Sequence, residues 1–424
     1  MTRPALVLVP QHFGSLVFDR RTSRYLPFDH ETTALFRRAA AVGTFAAIEE
    51  EEDAARRALV ADLFAHFEAE GFFLPDGRFA GEVRAPHAAP PVDHLLGPLA
   101  LHLEVIAACN LRCTHCFAGA LPRKADLSLA EIDRLFAELA ALGTFRIGLT
   151  GGEPLLRKDL FAIVDAALAH GLHPCLTTNG LLVDEAVARS FSERAMAWVN
   201  VSLDGATAAT NDAVRGAGTF DEVTRRLRAY GRHFRFTLAF TITSENAGEV
   251  VACAELAREL GASNAVFRPL YPVGVARSRP DLMPTFEEYT RALDELARLG
   301  HDVHAIDTFA PSARADAQAK TFSPPGCGAA NLVASVSATG DVNPCSFLGA
   351  AFESGNLRAR SFSEIWRAGH AFRRLRAAQP GPDRFFTGCR ARSLAAYGDV
   401  DAPDPWDRTR ARPPLATMHL PVLR

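Results

Sequence analysis

The sequence predicts an α/β protein: a partial parallel (β/α)6 barrel, preceded by a small winged-helix-like α+β domain and followed by a short C-terminal domain. Three observations lead there. Between residues 99 and 270 six extended apolar runs alternate with helical segments, the pattern that winds parallel strands into a barrel. Residues 84–98, "RAPHAAPPVDHLLGP", are rich in Pro and Ala without periodicity and read as a linker. Beyond the barrel, a hairpin signal and a capped helix follow a weakly patterned stretch that ends near residue 320.

In chain order, "LVLVP" and "SLVFDRRTSRYLPFD" predict short strands, and residues 30–72 turn helical, giving a β-then-α module over residues 1–83. The acidic run Glu49 to Asp53 suits the start of its last helix, where negative charge complements the dipole. The barrel, residues 99–310, draws its strands from "LALHLEVI", "FRIGLT", "HPCLTT", "WVNVSL", "FRFTLAFTIT" and "NAVFRPL". Its first helix has Leu129, Ile132, Leu135, Phe136, Leu139 and Leu142 at helical spacing, a capping box at Ser128 and Glu131, and a stop at Gly143. Thr285 and Glu288 cap a later helix. In residues 311–424, "NLVASVSATGDVNPC" predicts a hairpin turning at Gly340-Asp341, and "SFSEIWRAGHAFRRLRAA" one amphipathic helix capped by Ser361 and Glu364.

Composition bounds the function. The 424 residues carry a net charge of −3 with 48% hydrophobic residues, so no basic excess points to nucleic acid. The N-terminus "MTRPALVLVPQHFG" lacks the apolar core and cleavage site of a signal peptide, and no run of about 20 apolar residues could span a bilayer. A cytoplasmic protein with no membrane partner is expected. In that reducing compartment the eight cysteines read as metal ligands or buried thiols in preference to disulfides.

The chemistry lies in "CNLRCTHC", which sets Cys109, Cys113 and Cys116 at three-then-two spacing just after the first barrel strand. A structural zinc site needs four ligands, usually as two pairs, and no second pair is near. Three thiolates on a 4Fe-4S cluster leave one iron open to a substrate or cofactor, which suits catalysis. The arrangement Cys109-x3-Cys113-x2-Cys116 resembles the signature of the radical S-adenosylmethionine (SAM) superfamily. Further segments resemble its SAM-contacting motifs: "GGEP" (Gly151, Gly152, Glu153, Pro154), "TTNG" with Asn179, "VSLDG" with Ser202 and Asp204, and Arg215 as a carboxylate-binding arginine. All fall at strand C-termini, the rim where a parallel barrel gathers its site. The resemblance implies that SAM, chelated by the open iron, is reductively cleaved to methionine and a 5'-deoxyadenosyl radical that abstracts hydrogen from substrate. His115, where an aromatic residue is usual, is expected to pack on the cluster or the adenine.

Of the other cysteines, Cys175 in a strand and Cys253 in a helix read as buried thiols. Cys327, Cys345 and Cys389 each sit in a turn, and with "GDVNPCSF" and "GCRAR" their region resembles a reduced form of the C-terminal extension called SPASM or twitch. That resemblance implies one auxiliary 4Fe-4S cluster, its fourth ligand unnamed. The N-terminal module resembles the peptide-recognition (RRE, PqqD-like) domain, with an edge strand near residues 15–19 taking a leader peptide by strand addition; the alternative is a generic winged-helix-like packing domain. The implied function is a radical SAM oxidoreductase that modifies a ribosomally synthesised precursor peptide by cross-linking side chains, with flavodoxin or ferredoxin as electron donor. Peptide epimerisation, cofactor or tetrapyrrole biosynthesis on a small molecule, and an iron-sulfur sensor are the alternatives.

Overall fold

The computed structural model describes residues 3–42, 54–85, 89–118, 125–299, 303–305, 327–378 and 388–406. The acidic run Glu49 to Asp53 lies outside them.

The N-terminal module contains β1 (Leu6–Gln11), β2 (Gly14–Asp19), β3 (Arg24–Phe28), α1 (His30–Val42), α2 (Ala54–Ala69) and β4 (Gly81–Val83). Its sheet runs β3-β2-β1-β4, antiparallel except for the parallel pair β1 and β4. Every residue of β1 and β2 is buried, because alternate side chains serve two cores. Leu6, Leu8 and Val17 pack with Phe28, Phe36, Phe67, Phe72 and Phe79 inside the module. Val7, Val9, Leu16, Phe18 and Tyr25 belong to the core of the barrel. The expected edge strand at residues 15–19 is therefore corrected: this segment is β2, flanked on both sides, because β1 returns against it as well as β3. The edges are β3 and β4.

The second sheet has the order β11-β10-β9-β8-β7-β6-β5-β12-β13. Its strands β5 (Ala100–Ile106), β6 (Arg146–Gly151), β7 (His173–Thr178), β8 (Trp198–Ser202), β9 (Thr237–Ile242) and β10 (Asn264–Pro269) are parallel and follow one another in sequence order, matching the six expected runs. Between them come α3 (Leu129–Leu142), α4 (Leu160–Ala169), α5 (Glu185–Ser192), α6 (Ala208–Arg215), α7 (Thr219–Tyr230) and α8 (Val250–Glu259). Leu101, Leu103 and Val105 of β5 are buried on the helix side, while His102 and Glu104 alternate onto the inner face. After α9 (Phe286–Leu296), the short β11 (Val303–Ala305) extends the sheet beside β10.

The C-terminal region joins the opposite edge. Its hairpin, β12 (Val333–Val336) and β13 (Val342–Asn343), turns at Gly340 as expected, and β12 also pairs in parallel with β5, Val333 opposite Ala100. The capping boxes at Ser128, Thr285 and Ser361 are all formed. The single helix expected from Ser361 onward is instead two, α10 (Phe362–Ala368) and α11 (His370–Ala377), followed by α12 (Arg390–Tyr397). Gly369 breaks it with an extended ψ of 138°, and Ser354 Oγ accepts the amide of Ala371 in place of a helical carbonyl. The linker expected at 84–98 is tied down at its end: Leu96 N donates to Gln11 Oε1 and Trp366 Nε1 to Leu95 O, each at 3.0 Å.

Tyr25 joins module to barrel. Its hydroxyl donates to Gly143 O at 3.0 Å and accepts from Phe145 N at 2.7 Å, and Phe18 stacks on Phe145 at 4.8 Å. Gly143 has a left-handed φ of 79°, and a Cβ there would stand 2.8 Å from Val9, so one glycine both ends α3 and lets the module approach. We predict that Tyr25→Phe, which strands a buried amide and carbonyl, lowers unfolding free energy by about 1–3 kcal/mol in denaturant titration while leaving the iron content of the reconstituted protein unchanged.

Candidate active site

The loop after β5 carries Cys109, Cys113 and Cys116, all partly buried. It is pinned from three directions: Thr114 N donates to Val214 O at 2.9 Å, Val275 N to Cys116 O at 2.9 Å, and Cys116 N to Cys113 O at 3.3 Å. Burial pushes the Cys113 thiol up to about 11, with Cys116 and Cys109 adding to the rise and Arg215 opposing it; burial raises Cys116 as well. Buried thiols such as Cys113 and Cys116 become thiolates readily only when a cation shares their charge, as iron would.

The "GGEP" segment is stitched to this loop. Gly152 N donates to Ile106 O at 2.7 Å and Glu153 N to Ala108 O at 2.9 Å. A Cβ on Gly152 would lie 2.0 Å from Ala108 O, and one on Gly151 2.3 Å from Ile106 O, so only glycine permits the approach. Glu153 is fully buried: Oε1 accepts from Leu155 N at 2.9 Å and Thr178 Oγ1 at 2.7 Å, and Oε2 from Asn179 N at 2.7 Å. Its carboxylate thus holds "TTNG" against "GGEP", while burial raises its pKa. Asn179 Nδ2 donates to Asn110 Oδ1 at 2.8 Å, tying that segment back to the cysteine loop. Pro154 opens a single 3-10 turn behind it, and Ser202 stands half-buried at the end of β8.

Asp204 and Arg215 meet each other. Asp204 Oδ2 lies 2.6 Å from Arg215 Nε and 2.8 Å from His115 Nε2, and Oδ1 accepts from Thr241 N at 2.7 Å. Asp204 is fully buried, and burial alone would raise its pKa; Arg215 and His115 outweigh that and hold it well below the usual carboxylate range. His115, expected against a cluster or adenine, is oriented by this carboxylate.

Cys327, Cys345 and Cys389 lie near one another: burial raises all three, Cys327 and Cys389 add to the rise of Cys345, and Cys327 adds to that of Cys389. Burial pushes Cys389 up to about 12, with Arg392 opposing. Cys389 is the N-cap of α12, whose Arg390 and Arg392 amides donate toward Cys327 and Cys389. Cys345 reaches the barrel: Ser346 Oγ lies 3.3 Å from His102 Nδ1, and Phe347 contacts Tyr271 at 4.6 Å and Phe117 at 6.1 Å between ring centres. Cys253 is a core thiol as expected; Cys175, partly buried, lies on the inner face of β7, where Gly148 opposite leaves space.

Comparison with known proteins agrees with this geometry. Residues 103–257 match the Radical SAM superfamily, and residues 327–391 match SPASM, an iron-sulfur cluster-binding domain. Mycofactocin maturase MftC of Mycobacterium tuberculosis is 33% identical over 343 residues, covering 76% of this chain and 87% of that protein. The chain belongs to the radical SAM superfamily. Another relative of this radical SAM enzyme, the AdoMet-dependent heme synthase of Methanosarcina barkeri, is 29% identical over 338 residues, 73% of this chain and 96% of that protein. In fold, the chain resembles Streptococcus suis SuiB bound to precursor peptide SuiA, with TM-score 0.70 and 12% identity over 95% of this chain and 98% of that one. The cofactors are 4Fe-4S clusters and SAM.

Sequence reading missed Asn110, Thr178, Asn211 and Thr241, which hold the rim together; single polar residues carry no spacing signal that marks them. No helix among the described residues is long and apolar enough to cross a membrane. We predict that Gly152→Ala, by driving Ala108 and the cysteine loop apart, lowers iron and sulfide per reconstituted chain by about one cluster, whereas Gly248→Ala, where a Cβ meets nothing within 4 Å, leaves both unchanged.

Proposed function

We propose that this radical SAM enzyme modifies a ribosomally synthesised precursor peptide, forming a cross-link between side chains through carbon or a heteroatom. The observation that carries the reading is the convergence of both cysteine groups on one barrel lumen, through His102–Ser346 and the ring contacts of Phe117, Phe347 and Tyr271. A peptide side chain in that lumen would lie between the two groups. MftC is named a maturase, and SuiB was solved with its precursor peptide, which supports the same substrate class.

In this reading Cys109, Cys113 and Cys116 hold the SAM-binding cluster, and Cys327, Cys345 and Cys389 the auxiliary one. When bound, the cluster and SAM supply hydrogen abstraction from an unactivated carbon. The residues of the chain do the positioning. The backbone of Gly151, Gly152 and Pro154 frames the site for the methionine end of SAM, and Glu153 keeps that frame rigid through Thr178 and Asn179. Ser202 is placed to touch SAM at the rim. Asp204 acts through Arg215 and His115, fixing both beside the cysteine loop and leaving the remaining guanidinium nitrogens for a carboxylate. Aromatic rings over the lumen exclude water that would quench a radical.

The N-terminal module, residues 1–83, is the leader-recognition element, with β3 as the edge that accepts a strand. A soluble donor such as flavodoxin or ferredoxin supplies electrons in the cytoplasm. The heme synthase likeness favours a second reading, a small-molecule substrate, in which the module serves packing alone.

The discriminating experiment incubates anaerobically reconstituted enzyme with SAM, a reductant and any short peptide encoded beside its gene. Loss of two hydrogen atoms localised between two residues by mass spectrometry is expected, and a leaderless peptide should react far more slowly. Deuterium uptake at one α-carbon without mass loss would instead indicate epimerisation, and an untouched peptide alongside turnover of a tetrapyrrole would sink the peptide reading. Cys109→Ala, Cys113→Ala or Cys116→Ala should abolish 5'-deoxyadenosine formation. Cys345→Ala should remove about one cluster of iron and stop product formation while SAM cleavage persists.

A further inference from the structure

The inner face of the barrel carries a cation that has no hydrogen-bonding or ionic partner among the described residues. Arg268 lies in β10 between Phe267 and Pro269, both buried, yet is itself exposed. Strand alternation turns it away from the helices and toward the lumen. Its guanidinium makes no hydrogen bond and meets no carboxylate among the described residues. Other enclosed arginines of this chain are matched: Arg157 with Asp159, Arg215 with Asp204, Arg392 with Asp404, and Arg146 over the Trp198 ring.

Two lumen-facing groups that feel the charge of Arg268, His102 and Cys175, are neutral near pH 7, and burial raises the pKa of Glu104 on the same inner face of β5. His102 is exposed although it lies mid-strand in β5, and burial nonetheless pulls its imidazole down to about 4, with Arg268 adding to the effect. Its place on the inner face of β5 turns the ring toward the lumen. Cys175 is held protonated by burial, which pushes it up to about 11 against the pull of Arg146 and Arg268. His102, Gly148 and Cys175 are direct neighbours across β5, β6 and β7. A Cβ on Gly148 would lie 3.0 Å from the His102 ring and 3.8 Å from Cys175 Sγ, so the glycine keeps this wall bare. The lumen thus has the Arg268 guanidinium on one side and a neutral imidazole and thiol on the other, with the Arg146 guanidinium held over the Trp198 ring.

A guanidinium with no partner among the described residues offers a planar fork that fits a carboxylate through two parallel hydrogen bonds. The strand bearing it runs directly into the turn where Val275 N grips Cys116 O, so an anchored group would sit just below the three-cysteine loop. We propose that Arg268 binds a carboxylate of the substrate inside the barrel and so fixes which carbon faces the radical source. This rests on the peptide reading above. The carboxylate is either the C-terminus of the peptide or an Asp or Glu side chain.

The test uses the reconstituted full chain and a short peptide encoded beside its gene. The peptide is offered with a free C-terminus, as the C-terminal amide, and with its Asp and Glu residues changed to Asn and Gln. Arg268→Gln should raise KM for the free peptide roughly tenfold to a hundredfold, with Arg268→Lys between it and the unsubstituted enzyme. Whichever peptide has lost the relevant carboxylate should show a high KM in the unsubstituted enzyme and no further loss in Arg268→Gln, which identifies the source. Equal KM for all three peptides would overturn the proposal. So would a rise in KM for SAM in place of the peptide, which assigns the cation to the cosubstrate. If the unsubstituted enzyme leaves every peptide unmodified, the peptide reading fails by itself, and a second measurement decides the lumen site. Phenylglyoxal labelling, located by mass spectrometry, is compared in acetate and in chloride at equal ionic strength. Acetate should slow labelling of Arg268 relative to Arg189 and Arg225 on the surface; equal slowing of all three refutes a carboxylate site.

Discussion

The structure of the site depends on two backbone hydrogen bonds, Gly152 N to Ile106 O and Glu153 N to Ala108 O. They bring the end of β6 so close to the chain leaving β5 that no side chain fits between, and this fixes where the cysteine loop begins. Everything else on the rim continues from there. The Glu153 carboxylate, buried and filled with donors, extends the constraint to β7; Asn179 returns it to Asn110 within the cysteine loop. Such a closed circuit of satisfied polar groups is rigid because each member left alone would bury an unpaired donor or acceptor. A radical enzyme gains from that rigidity, since its selectivity comes from the position of a carbon and not from a titrating acid or base.

A second circuit ties the helical side to the loop. Asp204 is reached by Arg215, His115 and the amide of Thr241, joining α6, the cysteine loop and β9 at one fully buried carboxylate. With burial opposing its ionisation and Arg215 and His115 favouring it, the group is an anchor whose removal would leave the buried Arg215 guanidinium unmatched.

The barrel was legible in the sequence because its strands are short apolar runs between helices bounded by strong signals: a capping box at Ser128 and a glycine at 143 mark both ends of α3. The two cysteine groups were legible because cysteine is rare and its spacing is chemical. What escaped has a common cause. The central place of β2, the addition of β12 beside β5, and the lumen-facing Cys175 and Arg268 all depend on which strands pair across distant parts of the chain, and a local pattern of period two does not say which face will be inside. In β10 the residues around Arg268 read as an ordinary buried strand with one solvated arginine. Gly369 shows the opposite failure: a helical period continued through it, but a capping arrangement with Ser354 overrode the periodicity.

The pairing of β12 with β5 has a further consequence for how this protein could vary. The C-terminal iron-sulfur region is not appended by a tether; its first strand shares a hydrogen-bond ladder with the strand that delivers the cysteine loop, in a register that sets Val333 opposite Ala100 and Val336 opposite Leu103. Slipping that ladder by one residue would turn its side chains to the opposite face and displace Cys345 with them. The region can therefore be exchanged between relatives only together with its partner strand, and insertions are confined to stretches that leave the ladder untouched. The distance between the two cysteine groups is inherited as a property of one sheet.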